Sequence, residues 1–296
     1  LVYFSIEEIK DQVMLTIHTE ELSTQALQQY LQAAIAPRPI CFASTIDLKG
    51  NVNLSPFSFF NLFSMNPPVC IFSPSRRVRD NTTKHTLDNL KEVPECVINI
   101  VNYNMVQQMS LASCEYPKDV NEFIKAGFTE APSELVKPPR VAESPIQLEC
   151  IVQEIISLGE KAGAGNLVLA EIKRIHINEA VLDENKKINP AKLDLVARLG
   201  EDWYTRVTEQ SLFKVEKPNT NLGIGMDQLP AFIRNHSLLS NNEKGQLANV
   251  SAIPEQLKTN NHVSLSDEKM REIKDALREN NTTLAWKIIE TSTAHQ

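Results

Sequence analysis

Glycine is scarce in this sequence. Nine glycines in 296 residues is under half the usual share of about 7%. The shortage removes the common nucleotide cradles. No G-x-G-x-x-G is present, since Gly223-Ile-Gly225 meets Gln228 where the third glycine would stand. Gly163-Ala-Gly165 leads into strand-like sequence and reads as a turn, and there is no Walker loop. Any nucleotide must be held in some other way. Close cysteine pairs are also missing: the five cysteines, at 41, 70, 96, 114 and 150, are never nearer than 18 residues apart. That excludes C-x-x-C redox and zinc motifs. Six scattered histidines form no H-E-x-x-H, so no metal site is expected. An excess of positive charge is absent as well. The formal charge is −7, which disfavours a general nucleic-acid binder and makes any basic stretch informative. No apolar run is long enough to span a bilayer and no secretory signal is seen, so no membrane partner is expected.

Cys41, Cys70, Cys96 and Cys150 sit in apolar strand-like runs, where a thiol acts as a small hydrophobe. A reducing, cytoplasmic setting is expected. Met14 is the expected natural start, and residues 1–20 read as an extension or N-terminal arm.

Leu22 to Ala34 reads as a helix, capped by Ser23 or Thr24, with Leu22, Ala26, Tyr30 and Leu31 near one face. Pro37 and Pro39 end it. The period then changes: 39–46 and 51–57 read as a hairpin about Asp47–Gly50, and 69–73 and 95–101 as further strands. Short helices are expected over 86–92, 104–113 and 120–126. Two long strands, 145–158 and 166–177, flank the Gly163–Gly165 turn. Hairpin-joined strands with inserted helices predict a mainly β, α+β domain built as an antiparallel barrel. It is expected over residues 21–207. Residues 208–296 change to Asn-rich sequence and are expected to form a partly helical appendage, packed on the barrel or on a partner subunit. One of its helices is capped by Ser266 and carries Met270, Ile273 and Leu277, and a second spans 283–289 with Trp286.

Two segments carry chemistry. Residues 73–86 hold Arg76, Arg77, Arg79 and Lys84 against Asp80 alone, four cations to one anion, with Ser73, Ser75, Thr82, Thr83 and Thr86 interleaved. The stretch runs from a strand into a helix N-terminus, an arrangement that suits a phosphate. A solvated basic loop with Thr86 as a plain cap fits equally well. The second segment, Asn53-Leu-Ser-Pro-Phe-Ser-Phe-Phe-Asn61, crowds aromatics among hydroxyls and amides. It offers a flat heteroaromatic ring an apolar face and edge-on hydrogen bonds. A bulged strand whose phenylalanines fill the core is the alternative.

Pro37-Arg-Pro-Ile40, Ser44-Thr45, the Asn53–Asn61 segment, Pro67-Pro68, Lys84-His-Thr86-x-x-Asn89, Ser144-Pro-Ile-x-Leu-Glu-Cys150, the strand ending in Glu171, and Arg198-Leu-Gly200 with Tyr204 occur in that order. Together they resemble the flavin reductase-like family of FMN-binding split β-barrels over roughly residues 35–207. The resemblance implies a homodimer with FMN near the subunit interface. It implies that Ser44, Thr45, Lys84 and Thr86 meet the phosphate and ribityl end. Asn53, Ser55, Pro56, Phe57 and Ser58 would line the isoalloxazine. Arg79 and Thr83 are added from this chain's own basic loop, Arg198 and Tyr204 would close the pocket, and Asn89 would be a structural residue on the helix. In the family a hydride passes from NAD(P)H to the flavin, so no side-chain acid or base is required and no catalytic residue is assigned.

Two departures bear on activity. His85 stands where the family commonly has aspartate. Asn166 stands where small flavin reductases often carry a histidine associated with the nicotinamide side, and His176 is not its positional replacement. Three readings follow. One is an NAD(P)H-dependent oxidoreductase passing electrons to free flavin, ferric iron or a partner oxygenase. The second is a flavoredoxin-like electron carrier without its own nicotinamide site, a reading Asn166 favours. The third, a non-catalytic flavin-binding protein, is disfavoured by the intact Asn53–Asn61 and Lys84–Thr86 segments.

Overall fold

The computed structural model describes residues 13–215, 217, 222–254, 257 and 265–293; residues 1–12 of the expected arm lie outside the described residues. The chain divides into two compact units, Thr16–Leu212 and one containing Phe213–Gln296.

The first unit is built on a seven-stranded antiparallel sheet. Its strands are β1 (Cys41–Ile46), β2 (Val52–Phe57), β3 (Phe60–Met65), β4 (Pro68–Phe72), β5 (Glu95–Ile100) and, after two short strands β6 (Glu130–Ala131) and β7 (Arg140–Val141), β8 (Ile146–Ser157) and β9 (Asn166–Ile177). The order across the sheet is β2-β1-β5-β8-β9-β4-β3. Its two edges, β2 and β3, are consecutive in sequence and separated only by Ser58 and Phe59. So short a link requires the sheet to curl until its edges nearly meet, which makes an incompletely closed barrel. The hairpin expected over 39–57 is present, with Cys41 opposite Phe57 and Ile46 opposite Val52.

Inward-facing residues form the barrel core. Phe57, Phe72, Ile98, Val168 and Ala170 share it with all four strand cysteines, and Cys96 stands directly opposite Cys150. The thiols thus pack as small hydrophobes, as expected.

Helix α1 (Thr24–Ala34) is capped by Ser23, whose hydroxyl accepts from the Ala26 N–H at 3.2 Å. Helices α2 (His85–Glu92), α3 (Val106–Leu111) and α4 (Glu122–Ala126) are inserted between strands, and a short helix α5 (Pro190–Leu193) precedes a hairpin of β10 (Val196–Gly200) and β11 (Trp203–Arg206). Strand β3 and the β10–β11 hairpin were not expected from the sequence. In β3 the apolar residues are mostly exposed, so the alternation that marks a half-buried strand is missing.

The second unit is helical, with α6 (Ala231–Arg234), α7 (Asn241–Ala248), α8 (Asp267–Arg278) and α9 (Thr282–Thr293). Ser266 caps α8, and Met270, Ile273 and Leu277 are buried as expected. The buried Trp286 of α9 donates its indole N–H to the Leu247 carbonyl at 3.1 Å. Helix α7 was not expected, although Ser240 and Glu243 make a full capping box at its start.

Candidate functional site

A cleft of about 650 Å³ opens beside α1. Leu27, Gln28 and Leu31 of α1 line one side. Pro56, Phe57, Ser58 and Phe59, at the corner where β2 gives way to β3, line another. The basic loop contributes Arg76, Arg77, Arg79 and Lys84. The lining therefore has an apolar part and a cationic part. The volume falls within the range typical of cofactor and drug-sized ligands, about 300–1,000 Å³.

Arg77, Lys84 and Glu115 also line a small polar recess together with Asn53, Ser55, His85 and Thr86. Here a buried chain of hydrogen bonds sets the side chains. The Thr86 hydroxyl donates to the Asn53 Oδ1 at 2.7 Å, and the Asn53 amide donates to Glu122 at 2.9 Å. Glu122 also accepts the Leu54 N–H at 3.0 Å. Burial pushes the Glu122 carboxyl above its ordinary value. Lys84 is the N-cap residue of α2. Burial, and then the nearby Arg77 charge, lower its pKa, while Glu115 opposes them. The same two causes lower the His85 pKa, which favours its neutral imidazole.

Of the residues singled out in the sequence, Pro56, Phe57, Ser58, Arg79 and Lys84 meet at the cleft, and Asn53, Ser55, Lys84 and Thr86 at the recess. Ser44 and Thr45 are not brought to either; both are fully buried. The Ser44 hydroxyl donates to the Pro139 carbonyl, and the Thr45 hydroxyl accepts from Asn89 at 3.2 Å. Thr83 is likewise occupied elsewhere, its hydroxyl on Asp88 at 2.9 Å. Thr86 is not a plain cap, because the helix begins one residue earlier. Asn89 is structural, as expected, and buried against β1. Arg198 and Tyr204 pair with each other at 3.0 Å and line a smaller cavity of about 100 Å³ that shares Pro56, Phe57 and Ser58 with the cleft.

Sequence reasoning missed the α1 wall. The face expected there included Leu31, which lines the cleft, and Tyr30, which is half exposed, but not Leu27, which lines the cleft as well. The i, i+4 spacing of those two leucines is the signal that could have found it. It also missed Glu115, which holds Arg77 at 3.0 Å and Arg79 at 2.7 Å. Nothing in the sequence links Glu115 to a loop some 36 residues earlier.

The Gly163–Gly165 turn fits tightly against this site. A Cβ on Gly163, whose φ is +87°, would lie 2.8 Å from Thr24 Cγ2, and one on Gly165 would lie 2.7 Å from Ser73 Oγ. Asn166, next in line, is buried and donates its amide to the Pro74 carbonyl at 3.0 Å. It serves to pin the basic loop.

Residues 34–192 match the model of the flavin reductase-like domain. The chain belongs to the flavin reductase-like family. Among relatives of this flavin reductase-like chain, an uncharacterised protein of Aquifex aeolicus is 34% identical over 196 residues, covering 66% of this chain and 97% of the relative. Nitrilotriacetate monooxygenase component B from Bacillus cereus is similar in structure, with a TM-score of 0.64 and 28% identity over 69% of this chain and all of its own. The 2-nitrobenzoate 2-nitroreductase of Pseudomonas fluorescens gives 0.61 and 25% over 68% and 96%. Membership places the chain among flavin-handling oxidoreductases built on a split barrel. The cleft fits a flavin mononucleotide: it has room, apolar and hydroxyl lining for a ring, and cations for a phosphate. The guanidinium of Arg38, a residue 6% exposed, also lines it.

Proposed function

We propose that this chain holds FMN in the cleft along α1 and passes electrons from reduced nicotinamide through it to an acceptor such as free flavin, ferric iron or a partner oxygenase. The pairing of a ring-sized apolar wall at Pro56–Phe59 with the basic recess at the start of α2 carries this reading. Bound flavin supplies the two-electron chemistry. The residues of the chain orient it. Lys84 and Arg77 hold the phosphate with the Thr86 backbone N–H in the first turn of α2, because the Thr86 hydroxyl proton is already given to Asn53. Pro56, Phe57, Ser58 and α1 exclude water from the ring. Arg77 and Arg79 both pair with Glu115, so the phosphate competes with that carboxylate for each of them.

A flavoredoxin-like carrier without its own nicotinamide site is the second reading, favoured by the structural employment of Asn166. An absorbance spectrum before and after anaerobic addition of NADH, then NADPH, separates the two. Bleaching of a bound flavin by either is the expected result; a yellow protein reduced only by dithionite would make the carrier reading correct. A preparation that takes up no FMN would sink both.

The chain is further proposed to act as a homodimer in a cytoplasmic setting. Among the described residues no helix is long and apolar enough to cross a membrane. Edge strand β3 exposes Leu62 by 50%, Phe63 by 66% and Met65 by 76%, with a bulge between Leu62 and Ser64. An exposed apolar edge invites a partner strand or face, and a second copy supplies one. Phe63→Asp is expected to halve the sedimentation mass while leaving the circular dichroism unchanged. An unaltered dimer would place the interface elsewhere.

A further inference from the structure

Arg38 is the one cation in the cleft lining outside the basic loop and α2. It is 6% exposed, and no carboxylate contacts it among the described residues. Its Nη1 donates to the carbonyls of Gln32, Ile35 at 3.0 Å and Leu199 at 3.0 Å, and its Nε faces Ser58 Oγ at 3.5 Å. The backbone of Arg38 is bridged to Arg198 by two hydrogen bonds of 2.8 and 2.9 Å. Burial, and then the Arg198 charge, lower its pKa, as fits a cation without an acid beside it. Carbonyls at the end of α1 compensate the charge in part. A buried charge left without a counter-ion is nonetheless costly.

The cations of the cleft are set apart along α1. The Thr24 end lies against Gly163, next to Val78 of the basic loop, whereas Arg38 holds the Gln32–Ile35 end. An 11-residue helix is roughly 16 Å long at about 1.5 Å per residue. The basic loop has Glu115 as its neutralising partner and, on the FMN reading, a phosphate as well. Arg38 has neither. A flavin carries negative charge in two places. The phosphate is always anionic. The ring becomes anionic when it takes up two electrons and one proton from an external donor.

We propose that Arg38 is the counter-charge for the reduced flavin ring, so that the site binds reduced FMN more tightly than oxidised FMN. The proposal rests on the FMN reading. Arg38 lines the same cleft as Ser58, one of the residues proposed to face the ring, and its Nε stands 3.5 Å from the Ser58 hydroxyl. In this role it acts on the cofactor's charge, and its clamp on α1 is a separate duty.

The test measures FMN affinity by fluorescence quenching, and the midpoint potential of the bound flavin by dithionite titration. In the wild-type protein the bound couple should be more positive than free FMN in the same buffer; a more negative value overturns the proposal without any variant. Arg38→Gln should leave the affinity for oxidised FMN within about threefold. It should weaken the affinity for reduced FMN about tenfold more, a fall of about 30 mV for a two-electron couple. Arg38→Lys keeps the charge but not the fork and should keep the potential near wild type. If the lysine variant behaves like glutamine, or both redox states weaken equally, Arg38 is only the clamp of α1. Failure of the wild-type chain to bind FMN at all would reject the flavin reading itself.

Discussion

Lys84→Met should weaken FMN binding by one to two orders of magnitude and leave riboflavin binding unchanged. Lys84 lines both the cleft and the polar recess, and it makes no ion pair among the described residues. A hydrogen bond to a charged group contributes about 1.5–3 kcal/mol, and about 1.4 kcal/mol corresponds to tenfold in affinity. Because Lys84 is partly buried, added salt should soften the effect less than it would at the surface. A sign follows from its protonation too. Its pKa is lowered, first by burial and then by Arg77, and a phosphate prefers the charged form. FMN affinity should therefore be greatest below that lowered pKa and decline as pH rises through it. Isothermal titration with FMN and with riboflavin, which lacks the phosphate, reads the difference directly. Equal losses for both ligands would mean that Lys84 supports the fold of the cleft and the phosphate sits elsewhere.

Glu149→Ala should lower stability by about 3 kcal/mol, among the larger single-residue effects expected of this chain. The carboxylate is fully buried on β8. It accepts the backbone N–H groups of Glu134 at 2.9 Å, Leu135 at 2.6 Å and Val136 at 3.2 Å, and it meets His176 Nε2 at 2.6 Å. Alanine leaves three backbone donors without an acceptor. In a unit of this size that corresponds to a drop of roughly 6–12 °C in Tm. Burial alone would raise the Glu149 pKa, but the three N–H donors and His176 outweigh it and hold it below its ordinary value. Its contribution is thus present above the unfolded carboxylate pKa and is lost as pH falls through the lower folded one. Thermal melts as pH falls below the ordinary carboxylate range should show a steeper fall in the wild type than in Glu149→Gln. A Glu149→Ala protein that melts with the wild type would show that the 134–136 turn is free to reorganise.

The same residue illustrates what could be read in advance. Ser144–Cys150 was legible as part of a family pattern, and the long strands around it as strands, because β-branched residues run through them. The partners of Glu149 were not. Three are backbone groups, which leave no mark in sequence, and the fourth, His176, is 27 positions away. Ser44 and Thr45 are the opposite case. Their place in a motif suggested a ligand, yet a strand flanked by neighbours on both edges, with a helix against it, leaves their hydroxyls no open surface. The basic loop was legible because its charge opposed that of the chain. The apolar wall was legible only in part: the i, i+4 leucines of α1 mark a buried face, but nothing in their spacing says that a void rather than core lies against them.

The corner at Ser58–Phe59 joins two properties that are separate in most barrels. It is the only covalent stitch between the two margins of the sheet, and it also lines the cleft. A molecule seated there lies across the seam and resists its opening. By mass action, a ligand present at about 100 times its Kd adds about 2.7 kcal/mol to the folded state. A flavin seated there thus fastens the barrel, and any event that pries the seam apart releases the flavin.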